Sequence, residues 1–219
     1  DVIADNVFVE ACQTSAAVSF AVSEEQDNEI PVSATGKYAV IFDPLDGSSN
    51  LDVNVTVGSI VSVIPAKAAS ELLQPGRNQV FAAYAAYGPS TSLVLTFGDD
   101  VDFFSLNADE EYELADADVK IPSGNAEFSI NTSRQNLWDK PVQDYIAASL
   151  AGEGVYAKRY NMRWVGSMVA DIHRIMHRGG IFLYPNDAEI AKKGGRLRLL
   201  YEANPMGFLV EAAGGGAWP

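Results

Sequence analysis

A short apolar run, Tyr38–Phe42, leads without a break into Asp43-Pro44-Leu45-Asp46-Gly47-Ser48-Ser49-Asn50, and this junction constrains the fold more than any other stretch of the chain. The run has the β-branched and aromatic content of a strand. It therefore delivers two carboxylates, three residues apart, to a strand end. Pro44 stiffens the bend and Gly47 permits a backbone angle that other residues avoid. Hard divalent cations take oxygen ligands, and Mg²⁺ typically combines carboxylates with water and substrate phosphate. Asp43, Asp46 and the Leu45 carbonyl can face one such ion, and the amides of Gly47, Ser48 and Ser49 can donate to phosphate. The alternative from these residues alone is a tight acidic turn capped by Ser48 and Ser49, since Asp, Pro, Gly and Ser dominate ordinary turns.

Strand and helix signals alternate around this junction. Val18–Val22, Val53–Ile64, Val80–Tyr87, Leu93–Phe97 and the stretch 101–105 read as strands, and Ala108–Glu113 as an acidic turn entering another. Residues 139–150 and 166–178 read as helices, Ile181–Tyr184 as a buried strand, and Leu197–Ala213 as helical despite Pro205. At the start, Val2, Ile3, Val7, Val9 and Ala11 alternate with Asp1, Asp5 and Glu10 as in an amphipathic helix. Strands dominate the first half and helices the second, which predicts a layered α/β (α+β) architecture. The chain opens without Met inside a helix and stops at Gly214-Gly215-Gly216-Ala217-Trp218-Pro219, so we read it as a fragment of a longer protein.

Charge divides the chain. Residues 1–120 carry 20 acidic and 4 basic side chains, and residues 121–219 carry 9 acidic and 11 basic. The first part suits cations and the second suits anions such as phosphate. An overall net charge of −14 argues against a general nucleic-acid binder. No apolar run is long enough for a membrane span, and the single cysteine, Cys12, excludes an internal disulfide framework. A cytoplasmic protein is the expectation. Two further carboxylate positions stand out. Ser23-Glu24-Glu25 follows a strand, where adjacent acids repel unless a cation or proton sits between them. Glu202 interrupts the apolar Leu199-Leu200-Tyr201 run, where an unpaired charge is costly. A solvated loop and a partly exposed helix position are the plain alternatives.

Five segments, in order, carry a resemblance. GKYAVIFDPLDGSSNLDVNVTVGSI, LQPGRNQV, RWVGSMVADIHR, GGIFLYP and GRLRLLYEANPMGFLVEAAGG resemble class I fructose-1,6-bisphosphatases over essentially the whole chain. The related inositol phosphatases share a DPLDG-type motif, but carry a Trp-Asp pair where this chain has Tyr201-Glu202. The resemblance implies a layered α/β/α/β/α fold. Residues 1–120 would be the metal-binding half and 121–219 the sugar-phosphate-binding half, each lacking elements that family chains carry beyond the ends.

It further implies that Glu24, Asp43, the Leu45 carbonyl, Asp46 and Glu202 hold Mg²⁺, with Mn²⁺ as a substitute. Asp1 and Glu25, with Glu24, match the catalytic acids that orient and deprotonate the attacking water. One more acidic ligand of the family pattern belongs before Asp1. Asp46, Gly47, Ser48, Ser49, Asn131, Arg163, Met168, Tyr184 and Arg196 match substrate-binding positions, Arg163 reaching in from a neighbouring subunit of a homotetramer built as a dimer of dimers. The implied reaction removes the 1-phosphate of fructose 1,6-bisphosphate, in gluconeogenesis or carbon fixation. Sedoheptulose 1,7-bisphosphate is the rival substrate. A non-catalytic sugar-phosphate sensor is the rival from another class, and the complete carboxylate set argues against it. Three positions depart from the family pattern: Trp164 and Arg134 stand where Tyr is usual, and Arg196 where Lys is usual. Trp164 loses a hydroxyl and Arg134 adds charge near the second phosphate, while Arg196 gains a bidentate fork. His173 and His177, four apart on one helix, lack the neighbouring Glu of a metalloprotease motif and read as structural.

Overall fold

In this computed structural model, residues 1–154 and 157–218 are described. Strands β1 (Val18–Ser23), β2 (Ile30–Pro31), β3 (Tyr38–Asp46), β4 (Val57–Pro65), β5 (Phe81–Tyr87), β6 (Thr91–Thr96), β7 (Val101–Leu106) and β8 (Tyr112–Asp116) form one sheet in the order β2-β1-β3-β4-β5-β6-β7-β8. Among the described residues of this sheet only β1 and β3 run parallel, so the ends that lead to Glu24 and carry Asp43 lie side by side. A second, parallel sheet comprises β9 (Glu127–Ser129) flanked by β10 (Asn161–Met162) and β11 (Ile181–Phe182).

Five layers follow from which faces are apolar. Helix α1 (Val2–Gln13) covers one face of the large sheet through Phe8, Val9 and Cys12 against Ala21 and Phe42. On the other face, Ile60, Tyr84, Val94 and Phe103 meet α3 (Met168–Arg178) and α4 (Asn204–Ala212), which contribute Val169, Ile172, Met176, Met206 and Leu209. The small sheet lies beyond α3, and α2 (Lys140–Ala151) closes its far side with Ile146 against Phe128, Ile130 and Trp138. The α/β/α/β/α order agrees with expectation. Among the described residues, no helix is long and apolar enough to cross a membrane.

Several local expectations change. The DPLD segment is not a turn after the strand. β3 continues through it to Asp46, with a register shift between Asp43, opposite Ile60, and Asp46, opposite Gly58. Such a bulge re-aims a side chain without ending the sheet. Residues 48–53 form a 3₁₀ turn, so β4 begins only at Val57. The stripe on α1 is not a buried one: Val2, Ile3 and Val7 are 60% or more exposed, while Asp5 is buried. Leu197–Ala213 is not one helix, because Pro205 lacks an amide proton and cannot continue a helical ladder. Leu199–Ala203 makes a wide π turn, and α4 starts with Pro205 in its first turn, where a missing N–H is harmless. β11 spans two half-buried residues rather than a buried Ile181–Tyr184 strand.

Candidate metal and phosphate site

Asp43, Asp46 and Glu202 converge, with carboxylate oxygens within 4.8 Å of one another, and all three are buried. β3 presents Asp43 and, past the bulge, Asp46; the π turn presents Glu202. The placement of Asp46 depends on α3. Its Oδ2 accepts hydrogen bonds from Ser167 Oγ (2.7 Å) and from the Val169 amide (2.8 Å). Two glycines make this approach possible. Gly47 has φ +75°, and a Cβ there would lie 2.5 Å from Ser167 Cβ; a Cβ on Gly58 would lie 2.6 Å from Val169 Cγ1. Asp43 Oδ1 accepts from the Leu45 amide at 3.0 Å, folding the Pro44 bend over its own carboxylate.

Burial, then the nearby Asp46, Glu24 and Glu202 charges, pushes the Asp43 pKa up to about 7. Burial also raises Asp46 and Glu202, against hydrogen bonds that lower each. Carboxylates forced together in this way strain toward protonation unless a cation neutralises them. A buried set of hard oxygen donors fits a divalent cation such as Mg²⁺. Glu24 borders the cluster, close enough to act on Asp43 and Glu202. Glu25 is exposed; burial of its carboxyl and then the Glu24 charge raise its pKa. Asp1 is exposed at the start of α1.

Asp5, which sequence reasoning left as a polar spacer, fixes the Glu24–Glu25 loop. It accepts from Ser23 Oγ at 2.5 Å and from Gln26 Nε2 at 2.7 Å. Arg198 was also missed. Its guanidinium pairs with Glu24 and lies 3.6 Å from Glu202 Oε1, and its amide donates to Glu202 Oε2. Its position four residues before Glu202 in a helical stretch was the available signal. The LQPGRNQV segment has a bracing role: Gln79 Nε2 donates to the carbonyls of Gly76 (2.7 Å) and Asn204 (2.9 Å), tying the loop to the start of α4.

The expected phosphate residues are less gathered. Ser48 and Ser49 are exposed on the 3₁₀ turn, which Asn50 Nδ2 ties to the Val165 carbonyl at 3.3 Å. Met168 is buried in the first turn of α3. Asn131 Oδ1 caps its own turn by accepting from Ser133 N and Oγ, which leaves its amide nitrogen to donate. Trp164 stacks on Phe182 (6.3 Å, 12°) and meets Tyr184 edge-on at 5.8 Å, so it fills an aromatic layer instead of offering a hydroxyl. Arg196 is exposed, and Arg163 is half exposed with its Nε 3.9 Å from Glu127. Arg134 does not supply free charge. It forms a two-pronged pair with Asp187 (2.6 and 2.8 Å) and reaches Glu189 at 3.1 Å. His173 is structural, as expected: its Nδ1 is 2.9 Å from the buried Tyr84 hydroxyl.

A layered fold with a buried carboxylate cluster at parallel strand ends, and a basic second half, defines a class of phosphate-handling proteins to which comparison gives a family. The family model described as fructose-1-6-bisphosphatase, N-terminal domain, matches residues 1–116, and the one for the C-terminal domain matches residues 121–218. A class 1 fructose-1,6-bisphosphatase of Neisseria meningitidis serogroup B is 50% identical over 222 residues, 99% of this chain and 68% of that protein. One from Shewanella oneidensis is 48% identical over 223 residues, again 99% of this chain and 69% of the relative. The holo form of Leishmania major fructose-1,6-bisphosphatase superimposes with a TM-score of 0.90 at 38% identity, covering 98% of this chain and 70% of that one. The chain belongs to the class 1 fructose-1,6-bisphosphatase family.

Proposed function

We propose that this chain hydrolyses the 1-phosphate of fructose 1,6-bisphosphate, giving fructose 6-phosphate and phosphate. The observation that carries the reading is the buried convergence of Asp43, Asp46 and Glu202, held open by the α3 N-terminus on one side and the π turn on the other. Glu24, Asp43, the Leu45 carbonyl, Asp46 and Glu202 would hold Mg²⁺, or Mn²⁺ in its place. When bound, such ions polarise phosphoryl oxygens and stabilise the charge on the leaving oxygen. The chain's own part is positional and acid–base. Glu25, with its raised pKa, and Asp1 orient the attacking water and accept its proton. The Gly47, Ser48 and Ser49 amides orient the phosphate to be cleaved. Asn131, Arg163, Met168, Tyr184 and Arg196 bind the sugar and the distal phosphate.

Division of the chain into a metal-binding part (1–120) and a sugar-phosphate part (121–219) accords with the two sheets. Assembly as a dimer of dimers would carry Arg163, exposed on its own subunit, into a neighbour's site. A cytoplasmic location is consistent with a lone, free Cys12. Trp164 in its aromatic layer keeps sedoheptulose 1,7-bisphosphate as a second reading, because the hydroxyl usual there is lost; Arg134, bound to Asp187, lends that reading no support. The deciding experiment measures phosphate release by the full-length protein from both bisphosphates and from inositol 1-phosphate, in EDTA and with Mg²⁺. Fructose 1,6-bisphosphate should give the highest kcat/KM, and only with Mg²⁺. Full activity in EDTA, or equal rates on inositol 1-phosphate, would refute the reading.

A further inference from the structure

A cavity of about 400 Å³ opens between α3 and the turn that joins β5 to β6. None of the residues proposed to hold metal, water or substrate lines it. Helix α3 contributes His173, Arg174, His177 and Arg178. These form two i, i+4 pairs, 173 with 177 and 174 with 178, so the helical repeat places all four along one strip. The sheet side contributes the hydroxyls of Thr56, Ser90 and Ser92, and no hydrogen bond within the described residues engages any of the three. Ala86, Pro89, Val165 and Ala170 supply apolar surface.

Basic side chains in a last helical turn commonly answer the helix dipole, and by themselves would mean no more than that. The composition of the whole cavity says more. The chain carries 29 acidic and 15 basic side chains, yet no Asp or Glu lines this space. Arg174 donates to Glu127 through Nε and Nη2, at 3.0 Å each, which leaves Nη1 for a ligand. Arg178 is exposed and forms no ion pair within the described residues. His173 Nδ1 meets the Tyr84 hydroxyl, so Nε2 is the ring nitrogen left to a ligand. Burial lowers the pKa of both histidines, so near pH 7 each ring is neutral and offers one N–H. Guanidinium, imidazole and hydroxyl groups together form a donor set, and a phosphoryl group has the oxygens to receive it. The volume falls within the range of small-molecule sites, roughly 300–1,000 Å³, and the apolar surface suits a carbon body attached to that phosphate.

We propose that this cavity is a second ligand site that takes a small organic phosphate, its phosphoryl group held by Arg174, Arg178 and Ser90 and its carbon body against Pro89 and Val165. Affinity depends most on Arg178, whose charge no acid offsets. The proposal stands apart from the phosphatase reading, because the carboxylate cluster plays no part in it.

The test uses the full-length protein at neutral pH in EDTA, with phenylphosphonate as the probe. Its dianion mimics a phosphate monoester, and its C–P bond withstands phosphatase chemistry. Imidazole NMR follows the His173 and His177 rings, assigned from their absence in His173→Gln and His177→Gln. Both sets of resonances should shift saturably with one Kd. Arg178→Ala should weaken that Kd by about tenfold, the loss of one charge-assisted hydrogen bond, and Ser90→Ala by about threefold. Both side chains are exposed, so neither substitution disturbs the core. Inorganic phosphate, which lacks the carbon body, and benzoate, which lacks the dianion, should each bind more weakly than the probe. Absence of a saturable shift overturns the proposal, as does a Kd unchanged in Arg178→Ala. Inorganic phosphate binding as tightly as phenylphosphonate would overturn the organic-phosphate assignment and make the cavity a place for an adventitious ion only.

Discussion

His173 makes the stability of this protein depend on pH in a window where its carboxylates are mostly ionised. Burial first, and the neighbouring His177 second, lower its pKa to about 4 from the ordinary 6.5. The ring is packed between Tyr84, whose hydroxyl it meets at 2.9 Å, Phe103 at 5.9 Å and His177 at 4.6 Å between centroids. Because the folded pKa lies below the unfolded one, the unfolded chain takes up a proton between these values and the folded chain does not. The stabilisation is complete above pH 6.5 and is lost as pH falls toward 4. A difference of this size corresponds to about 3 kcal/mol over the window. His173→Gln removes the titration while leaving a partner for the Tyr84 hydroxyl. Urea denaturation of both proteins at intervals from pH 7 to 4 would isolate the term, since all other titrations are shared. The wild type should lose about 3 kcal/mol more than the variant. Parallel profiles would mean that His173 is protonated in the fold without penalty, and the account of its packing would be wrong.

Other outcomes follow from the same geometry. Asp46→Asn should lower kcat by roughly 10²–10³ with little change in melting temperature, as removal of a main electrostatic stabiliser does; a wild-type rate would make the bulge merely structural. Ser167→Ala removes the side-chain donor on Asp46 and the cap of α3 together, and should cost about 1 kcal/mol in urea denaturation while raising the Mg²⁺ concentration for half-maximal rate. Arg134→Gln should lower the melting temperature, by stranding Asp187, but leave KM for the bisphosphate unchanged; a raised KM would return Arg134 to the phosphate pocket. Arg163→Ala should raise KM far more than it lowers kcat, and mixing it with Asp46→Asn subunits should restore affinity at limiting substrate if the arginine acts across subunits.

The carboxylates were legible because their sequence context is local: a strand followed by DPLDG fixes the spacing of Asp43 and Asp46 whatever packs above them. Their surroundings were not, because those contacts are long-range. Nothing around Ser167 announces that its hydroxyl meets a carboxylate from β3, and Gly47 and Gly58 read as a turn residue and a strand interruption until α3 is seen against them. Periodicity misled at α1, where Asp5 is buried by two side-chain donors while Val2 and Ile3 face outward. At Pro205 the apolar spacing was right and the backbone reading wrong, since spacing does not distinguish an α-helix from a π turn joined to one. Arg134 was placed near the second phosphate by the resemblance, as a charge where Tyr is usual, and its acidic partners lie more than fifty positions away.

Helix α3 lies between the two sheets and is tied to both. Its first turn donates to Asp46 on the large sheet through Ser167 and Val169. Asp171, one turn further, accepts from Ser129 Oγ on the small sheet at 2.8 Å and from the amides of Val165 and Gly166 at 3.0 and 3.1 Å. Those two amides end the strip that carries Arg163 and Trp164. A single buried carboxylate thus fixes the strip against the helix, while the same helix start fixes Asp46. Asp46 is a carboxylate placed at the positive end of the helix, where the free first-turn amides need acceptors. The acid of the metal cluster and the residues proposed to grip the distal phosphate are therefore positioned by adjacent turns of one helix. A tilt of α3 would move both sets of contacts together.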